Sequence, residues 1–230
     1  MDQVATKLRN RAVAELFERA AESYDRWSNP YTMRRRAAAL AAHVVGRSVE
    51  VGGGTGAVTG TLYDRSDAIH SDISPRMCRV AVNKLGCASL CFDAESIPFA
   101  DETIDTAVSA EMIYYLARPQ RFIAEACRVL RPGGRLVLST TNPAMTFLER
   151  GRTLLRRLGF SRMFFDDGLP SFIPLDGLTE MMKKIGFTIE HTQYVVVLPF
   201  ASLDWLNRLL ERTFLRRFAL FVVFVARKSA

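Results

Sequence analysis

Five short, apolar, strand-like runs at 48–52, 68–73, 88–93, 104–109 and 135–141 are separated by turns and by helix-like stretches at 56–64, 75–85 and 119–130. Strands interleaved with helices of this length imply βαβ units and a mostly parallel sheet covered on both faces. Two helices, 2–23 and 31–45, precede the first strand, with Ser28-Asn29-Pro30 as the break between them. The rhythm lapses at Asn142 and returns with a helix at 175–185, a strand at 187–197, a helix at 202–212 and a strand at 218–226. The reading is one α/β domain over 1–230. It has a helical cap (1–45), a core (46–141), an insertion (142–173) and a C-terminal part of the sheet (174–230).

Composition adds bounds. Hydrophobic residues are 49% and charged residues 24% of the 230, enough for a sizeable core and incompatible with wholesale disorder. The net charge of +7 is uneven. Residues 1–115 carry 13 basic and 15 acidic side chains, and residues 116–230 carry 18 and 9, so the second half favours an anionic partner. Cys78, Cys87, Cys91 and Cys127 lack CxxC or His spacing, which predicts reduced, buried thiols, no metal and a cytoplasmic setting. The longest apolar run has nine residues, short of the roughly 20 that span a bilayer.

The chemistry concentrates after the first strand, at Glu50-Val51-Gly52-Gly53-Gly54-Thr55-Gly56. Glycines allow a tight turn and let a ligand touch bare backbone, and the next helix offers unpaired N–H groups. The spacing is neither the G-x-G-x-x-G of dinucleotide folds nor a P-loop, which needs Lys. An acid before the glycines suits a ligand with a positive charge, such as an amino acid ammonium. Asp72 ends the second strand, where a carboxylate can accept ribose hydroxyls, and Asp93 ends the third. Each acid alone also fits an N-cap or a loop solubiliser. Three at consecutive strand ends, with the glycines between the first two, favour a ligand.

These segments, with 70–76 (HSDISPR), 92–99 (FDAESIPF), 101–109 (DETIDTAVS), 128–138 (RVLRPGGRLVL) and 178–187 (LTEMMKKIGF), resemble the class I S-adenosylmethionine-dependent methyltransferases, of the type that includes the ubiquinone and menaquinone biosynthesis enzymes. The resemblance implies a Rossmann-like sheet of seven strands with the last antiparallel, and S-adenosylmethionine as cofactor. It implies Glu50 near the methionine ammonium, Gly52, Gly53, Gly54 and Gly56 in the cofactor loop, and Asp72 on the ribose. Ile73 would pack on the adenine, Asp93 and Ala94 would bracket its amino group, and Ser109 and Glu111 would lie at the methionine end. Residues 21–27 (AESYDRW) resemble the family's closing segment, with Tyr24 as the contact and Trp27 as packing. Tyr114 and Tyr115 stand where the quinone O-methyltransferases carry Glu-His, which points away from metal-assisted O-methylation.

A sulfonium-borne methyl is already activated, so the enzyme mainly aligns the reactants. Tyr24, Glu111, Tyr114 and Tyr115 are the candidates to touch the acceptor. His43, His70 and His191 fit structural roles better. The insertion repeats Phe147, Leu148, Leu154, Leu155 and Leu158 at helical spacing, with Arg150, Arg152, Arg156 and Arg157 mostly elsewhere, and then runs through Phe160, Met163, Phe164, Phe165, Phe172 and Ile173. It predicts either a roof over an apolar, aromatic or anionic small acceptor or a plain subdomain core. Peripheral membrane contact is a second expectation, from the arginines at 150–162 and from Arg208, Arg212, Arg216 and Arg217. A stable nucleic-acid complex is not expected, because the basic groups form no single tract. A non-catalytic cofactor-binding protein is a further alternative.

Overall fold

The computed structural model describes residues 3–62, 67–145 and 171–229. Helices α1 (Gln3–Ala20) and α2 (Pro30–Ala41) precede β1 (Arg47–Val51), α3 (Thr59–Leu62), β2 (Asp67–Asp72), α4 (Pro75–Leu85), β3 (Ser89–Cys91) and β4 (Ile104–Ala110). Then come α5 (Pro119–Val129), β5 (Leu130–Thr141), α6 (Leu175–Ile185), β6 (Phe187–Val195), α7 (Asp204–Leu210) and β7 (Phe221–Lys228).

The strands form one sheet in the order β3-β2-β1-β4-β5-β7-β6. Strands β1 to β5 pair in parallel, and β7 runs antiparallel between β5 and β6. This is the expected Rossmann-like arrangement. Successive strand residues point to opposite faces, and here both faces are dry. Leu136 and Leu138 of β5 join a core with Phe122 and Ile123 of α5 and Leu178 and Met182 of α6. Val137, between them, joins the opposite core with Leu40 of α2 and Leu62 of α3. Phe122 is fully buried, so truncating it to Ala would cost about 3–5 kcal/mol.

Local chemistry sets the helix ends. The Asn29 side chain accepts from the N–H groups of Tyr31 and Thr32, and Pro30 opens α2. Ser74 accepts from the Met77 N–H, Pro75 opens α4, and Gly86, at φ 64°, closes it in the left-handed conformation.

Several boundaries differ from the sequence expectation, among them the third strand, which ends at Cys91 and leaves Asp93 two residues beyond it. Helix α2 stops at Ala41. Helix α3 starts at Thr59, because Gly56 sits at φ 81°. The expected turn at 131–134 lies inside β5, looped out between the Ile104–Leu130 and Thr106–Arg135 pairs. Strand β7 starts at Phe221, because Phe214–Phe218 is a 3-10 turn capped by Thr213. Cys78 and Cys87 are buried, but Cys127 is half-buried and Cys91 exposed. No described helix is long and apolar enough to cross a membrane. The apolar stripe from Phe147 to Leu158, the arginines at 150–162 and the aromatics at 160–165 lie outside the described residues.

Candidate functional site

Strand order reverses between β1 and β4, the place where open α/β sheets bind ligands beyond the strand carboxyl ends. A cleft opens there in two lobes. The first holds about 690 Å³ of empty space against Asn10, Asp72, Ile73, Phe92, Asp93 and Ala94. The second holds about 970 Å³ against Trp27, Met33, Arg36, Glu50, Thr141 and Phe221. Tyr24, Gly52, Gly54, Ala110, Glu111 and Tyr115 line both, so the lobes meet at the glycine loop and the end of β4.

The glycines divide their work. Gly54 has φ 55°, and a Cβ there would meet nothing within 4 Å, so its bare backbone faces the cleft. A Cβ on Gly53 would lie 2.6 Å from the His70 ring, and one on Gly52 would lie 2.4 Å from Met112 Cγ. Gly56 does not reach the cleft. It is buried on α4, where a Cβ would lie 2.6 Å from Leu85. His70 supports the loop from below, with Nε2 at 3.0 Å from the Gly54 carbonyl oxygen and Nδ1 at 2.8 Å from Ser89 Oγ. Burial lowers its pKa, which keeps the ring neutral.

Three acids flank this loop. Glu50 is 1% exposed, and burial pushes its carboxyl up to about 7 against the Thr59 hydrogen bonds and the nearby Arg36 charge. Asp72 accepts from the Gly54 N–H at 2.9 Å and the Ser74 N–H at 2.9 Å, and burial pushes it up to about 6. Asp93 accepts from Asn10 Nδ2 at 2.7 Å and from the Glu95 N–H at 2.9 Å. That ties α1 to the end of β3.

Glu111 sits at φ 58°, an uncommon conformation for a residue with a side chain. Three hydroxyls donate to its carboxylate: Ser139 at 2.9 Å, Thr141 at 2.6 Å and Tyr114 at 3.1 Å. Burial, with the Glu111 charge, holds the Tyr114 phenol well above its ordinary pKa, so it stays a donor. The ring of Tyr114 packs on Tyr115 at 4.8 Å, and Tyr115 meets Phe17 edge-on at 5.1 Å. Phe17 in turn meets Tyr24 at 5.9 Å. The described end of the insertion joins this wall. Phe172 lies 5.2 Å from Tyr114, and the Ser171 N–H donates to the Tyr114 carbonyl.

The structure thus brings Tyr24, Glu50, Gly52, Gly53, Gly54, Asp72, Ile73, Asp93, Ala94, Glu111, Tyr114 and Tyr115 to one cleft. Ser109 stays out. It is fully buried in the sheet, and its hydroxyl has no hydrogen-bond partner. Trp27, expected to pack, is 42% exposed on the wall of the second lobe. Its neighbour Asp25 holds the segment down, accepting from Thr55 at 2.5 Å and Lys84 at 2.7 Å. His43 and His191 face each other at 5.5 Å in a separate basic groove.

Sequence reasoning missed Arg36. It is 9% exposed, it lies over the Phe221 ring at 4.9 Å, and its Nε has no partner. The signal was present: Arg36 and the core residue Leu40 are one turn apart on α2, whereas Arg34 is exposed. An open glycine backbone, a buried guanidinium with an unpartnered Nε and acids at or just past three strand ends suit a ligand with ribose hydroxyls and both charges of an amino acid.

Comparison with known proteins agrees. A model described as "Methyltransferase domain" matches residues 49–138. The ubiquinone/menaquinone biosynthesis C-methyltransferase of Syntrophotalea carbinolica is 33% identical over 199 residues, spanning 75% of this chain and 84% of that protein. A demethylmenaquinone methyltransferase of Tropheryma whipplei is 27% identical, over 76% of this chain and 83% of that one. A crystal structure of a SAM-dependent methyltransferase from Thermotoga maritima superposes with a TM-score of 0.70 at 24% identity, covering 95% of this chain and all of that one. With this fold, this cleft and a relative aligned over most of its length, the chain belongs to the class I S-adenosylmethionine-dependent methyltransferases, in the branch of the ubiquinone and menaquinone biosynthesis enzymes.

Proposed function

We propose that the enzyme methylates a small, apolar or aromatic acceptor seated in the second lobe. The observation that carries this is the make-up of that lobe. Trp27, Met33, Tyr114, Tyr115 and Phe221 supply one largely aromatic wall, faced by a polar side that includes Asn29, Thr32, Glu111 and Thr141. The aromatic wall takes an apolar body, and the polar side orients the acceptor's polar atoms.

The residues fit the cofactor. Asp72 would accept from the ribose, Ile73 and Phe92 would flank the base, and Asp93 and Ala94 would meet its edge. Glu50 would face the ammonium, and Arg36, with its unpartnered Nε, would take the carboxylate. When bound, S-adenosylmethionine supplies a methyl group activated by its sulfonium. The chain's own task is alignment, for which positioning is worth roughly 7–11 kcal/mol. Tyr24, Phe17 and Tyr115 exclude water at the junction of the lobes. Glu111, held by three hydroxyls, orients the acceptor's polar atom and accepts its proton where one must leave.

Mass spectrometry of methyl transfer to a panel of phenolic, quinol-like and polar aliphatic acceptors tests the reading. Transfer is expected to the apolar aromatic members. Trp27→Ala raises the acceptor KM about 10-fold and leaves the Kd of S-adenosylhomocysteine unchanged. A preference for polar aliphatic acceptors, or equal losses in both constants, overturns it.

A further inference from the structure

Five of the eleven large hydrophobic side chains exposed among the described residues fall within 200–218: Phe200, Trp205, Leu209, Phe214 and Phe218. Trp205 is 67% and Phe214 71% exposed. Trp205 and Leu209 lie one turn apart on α7 and share a face. Arg208, Arg212, Arg216 and Arg217 are exposed among them. The Arg217 guanidinium sits over the rings of Phe214 at 5.5 Å and Phe218 at 4.8 Å.

The acids of this stretch are engaged by α2. Asp204 takes Arg35 at 2.5 Å and the Tyr31 hydroxyl at 2.9 Å, and also pairs with Arg208 at 2.9 Å, while Glu211 takes Arg35 at 2.7 Å. What the segment offers to solvent is therefore cationic and aromatic, without a free carboxylate of its own. Interleaved arginines and aromatic side chains are the make-up of a surface that lies on an anionic bilayer.

We propose that residues 200–218 dock this enzyme on an anionic lipid surface. Trp205, Leu209 and Phe214 enter the headgroup boundary, and Arg212, Arg216 and Arg217 meet lipid phosphates. The location supports the assignment. Asn29 Nδ2 donates to the Pro199 carbonyl at 3.1 Å, and Asn29, Thr32 and Trp27 line the second lobe. The surface is thus hinged to the rim of the acceptor lobe. Resting on the acceptor reading above, this places that lobe's mouth beside the bilayer, where an apolar acceptor dissolves.

Co-sedimentation of the full chain with vesicles tests the docking. Phosphatidylglycerol/phosphatidylcholine vesicles are compared with pure phosphatidylcholine at low and high salt. Binding is expected to the anionic vesicles and to weaken with salt. Arg212→Gln with Arg216→Gln lowers partitioning about 30-fold. Trp205→Ala with Phe214→Ala lowers it without changing the salt dependence. In a Trp27→Phe background only Trp205 emits, because the chain has 2 tryptophans, and its emission shifts to the blue on anionic vesicles. None of the four surface positions lines the cleft, so each double variant keeps its melting temperature and its turnover of a soluble acceptor. Such turnover separates failure of the docking from failure of the acceptor assignment. Equal binding to neutral vesicles, no binding, or a dimer dispersed by the Trp205/Phe214 variant without vesicle binding overturns the proposal.

Discussion

The Nε2 of His70 lies 3.0 Å from the carbonyl oxygen of Gly54, so a strand-two side chain holds the underside of the loop that faces the cleft. The ring spans two elements, because its Nδ1 meets the Ser89 hydroxyl of β3. Neutral imidazole has one donor and one acceptor, which matches a carbonyl on one side and a hydroxyl on the other. His70→Ala takes the imidazole partner from two half-buried polar groups and empties a fully buried site. The expected cost is about 1–3 kcal/mol of stability, with a weaker Kd for S-adenosylhomocysteine. Thermal melts and calorimetry check both. An unchanged Kd would show that the loop holds its shape unaided.

Gly54 and Gly56 predict opposite outcomes for the same substitution. Gly54→Ala puts its methyl into open space and strains only the left-handed backbone, at a cost near 1 kcal/mol. It folds and loses cofactor binding. Gly56→Ala drives its methyl into Leu85 and Ala81, adding overpacking of about 1–3 kcal/mol to the same strain. It loses stability first. Paired melts and titrations of the two variants separate a loop that meets ligand from one that packs the core.

Burial of Glu50 and Asp72 couples ligand binding to protons. Their folded pKa values, about 7 and about 6, lie above the ordinary carboxyl range. The unfolded chain releases these protons at about pH 4. Between that pH and 7 the folded protein binds more protons than the unfolded one, so this contribution to stability is present in acid and fades as pH rises. His70, with its lowered pKa, acts in the opposite sense, and Glu50→Gln isolates the carboxylate part. A cationic ligand favours the charged carboxylates, so binding near pH 6.5 expels protons. Calorimetry in buffers of different ionisation heat measures the number released, and Glu50→Gln removes most of it. Proton uptake would contradict this account.

Much of the fold was legible because local chemistry and tertiary demand agree. Pro75 and Gly86 delimit α4 where the sequence implies, and α6 runs from Leu175 to Ile185 as its periodicity requires, closed by Gly186 at φ 113°. Illegible features depend on partners distant in sequence. The apolar run from Phe218 looks continuous, but pairing of β7 begins where Phe221 meets Thr141 and Val195. In the site, strand-end acids and loop glycines stand out because their spacing is local. Arg36 does not, since nothing nearby distinguishes it from Arg34 and Arg35 except one turn of periodicity. Asn142, where the strand–helix rhythm lapses, is a further case. Its buried amide donates to the carbonyls of Arg217 and Ala219.

The insertion of β7 between β5 and β6 also orders events during synthesis. Strand β6 gains its neighbour only when residues 221–228 arrive, and β5 keeps one bare edge until then. A nascent chain halted before that stretch exposes an unpaired β6 and one bare edge of β5, the kind of edge that recruits foreign chains. Completion of the sheet is therefore a late, long-range step, and a translational stall there would yield aggregates in preference to a truncated enzyme.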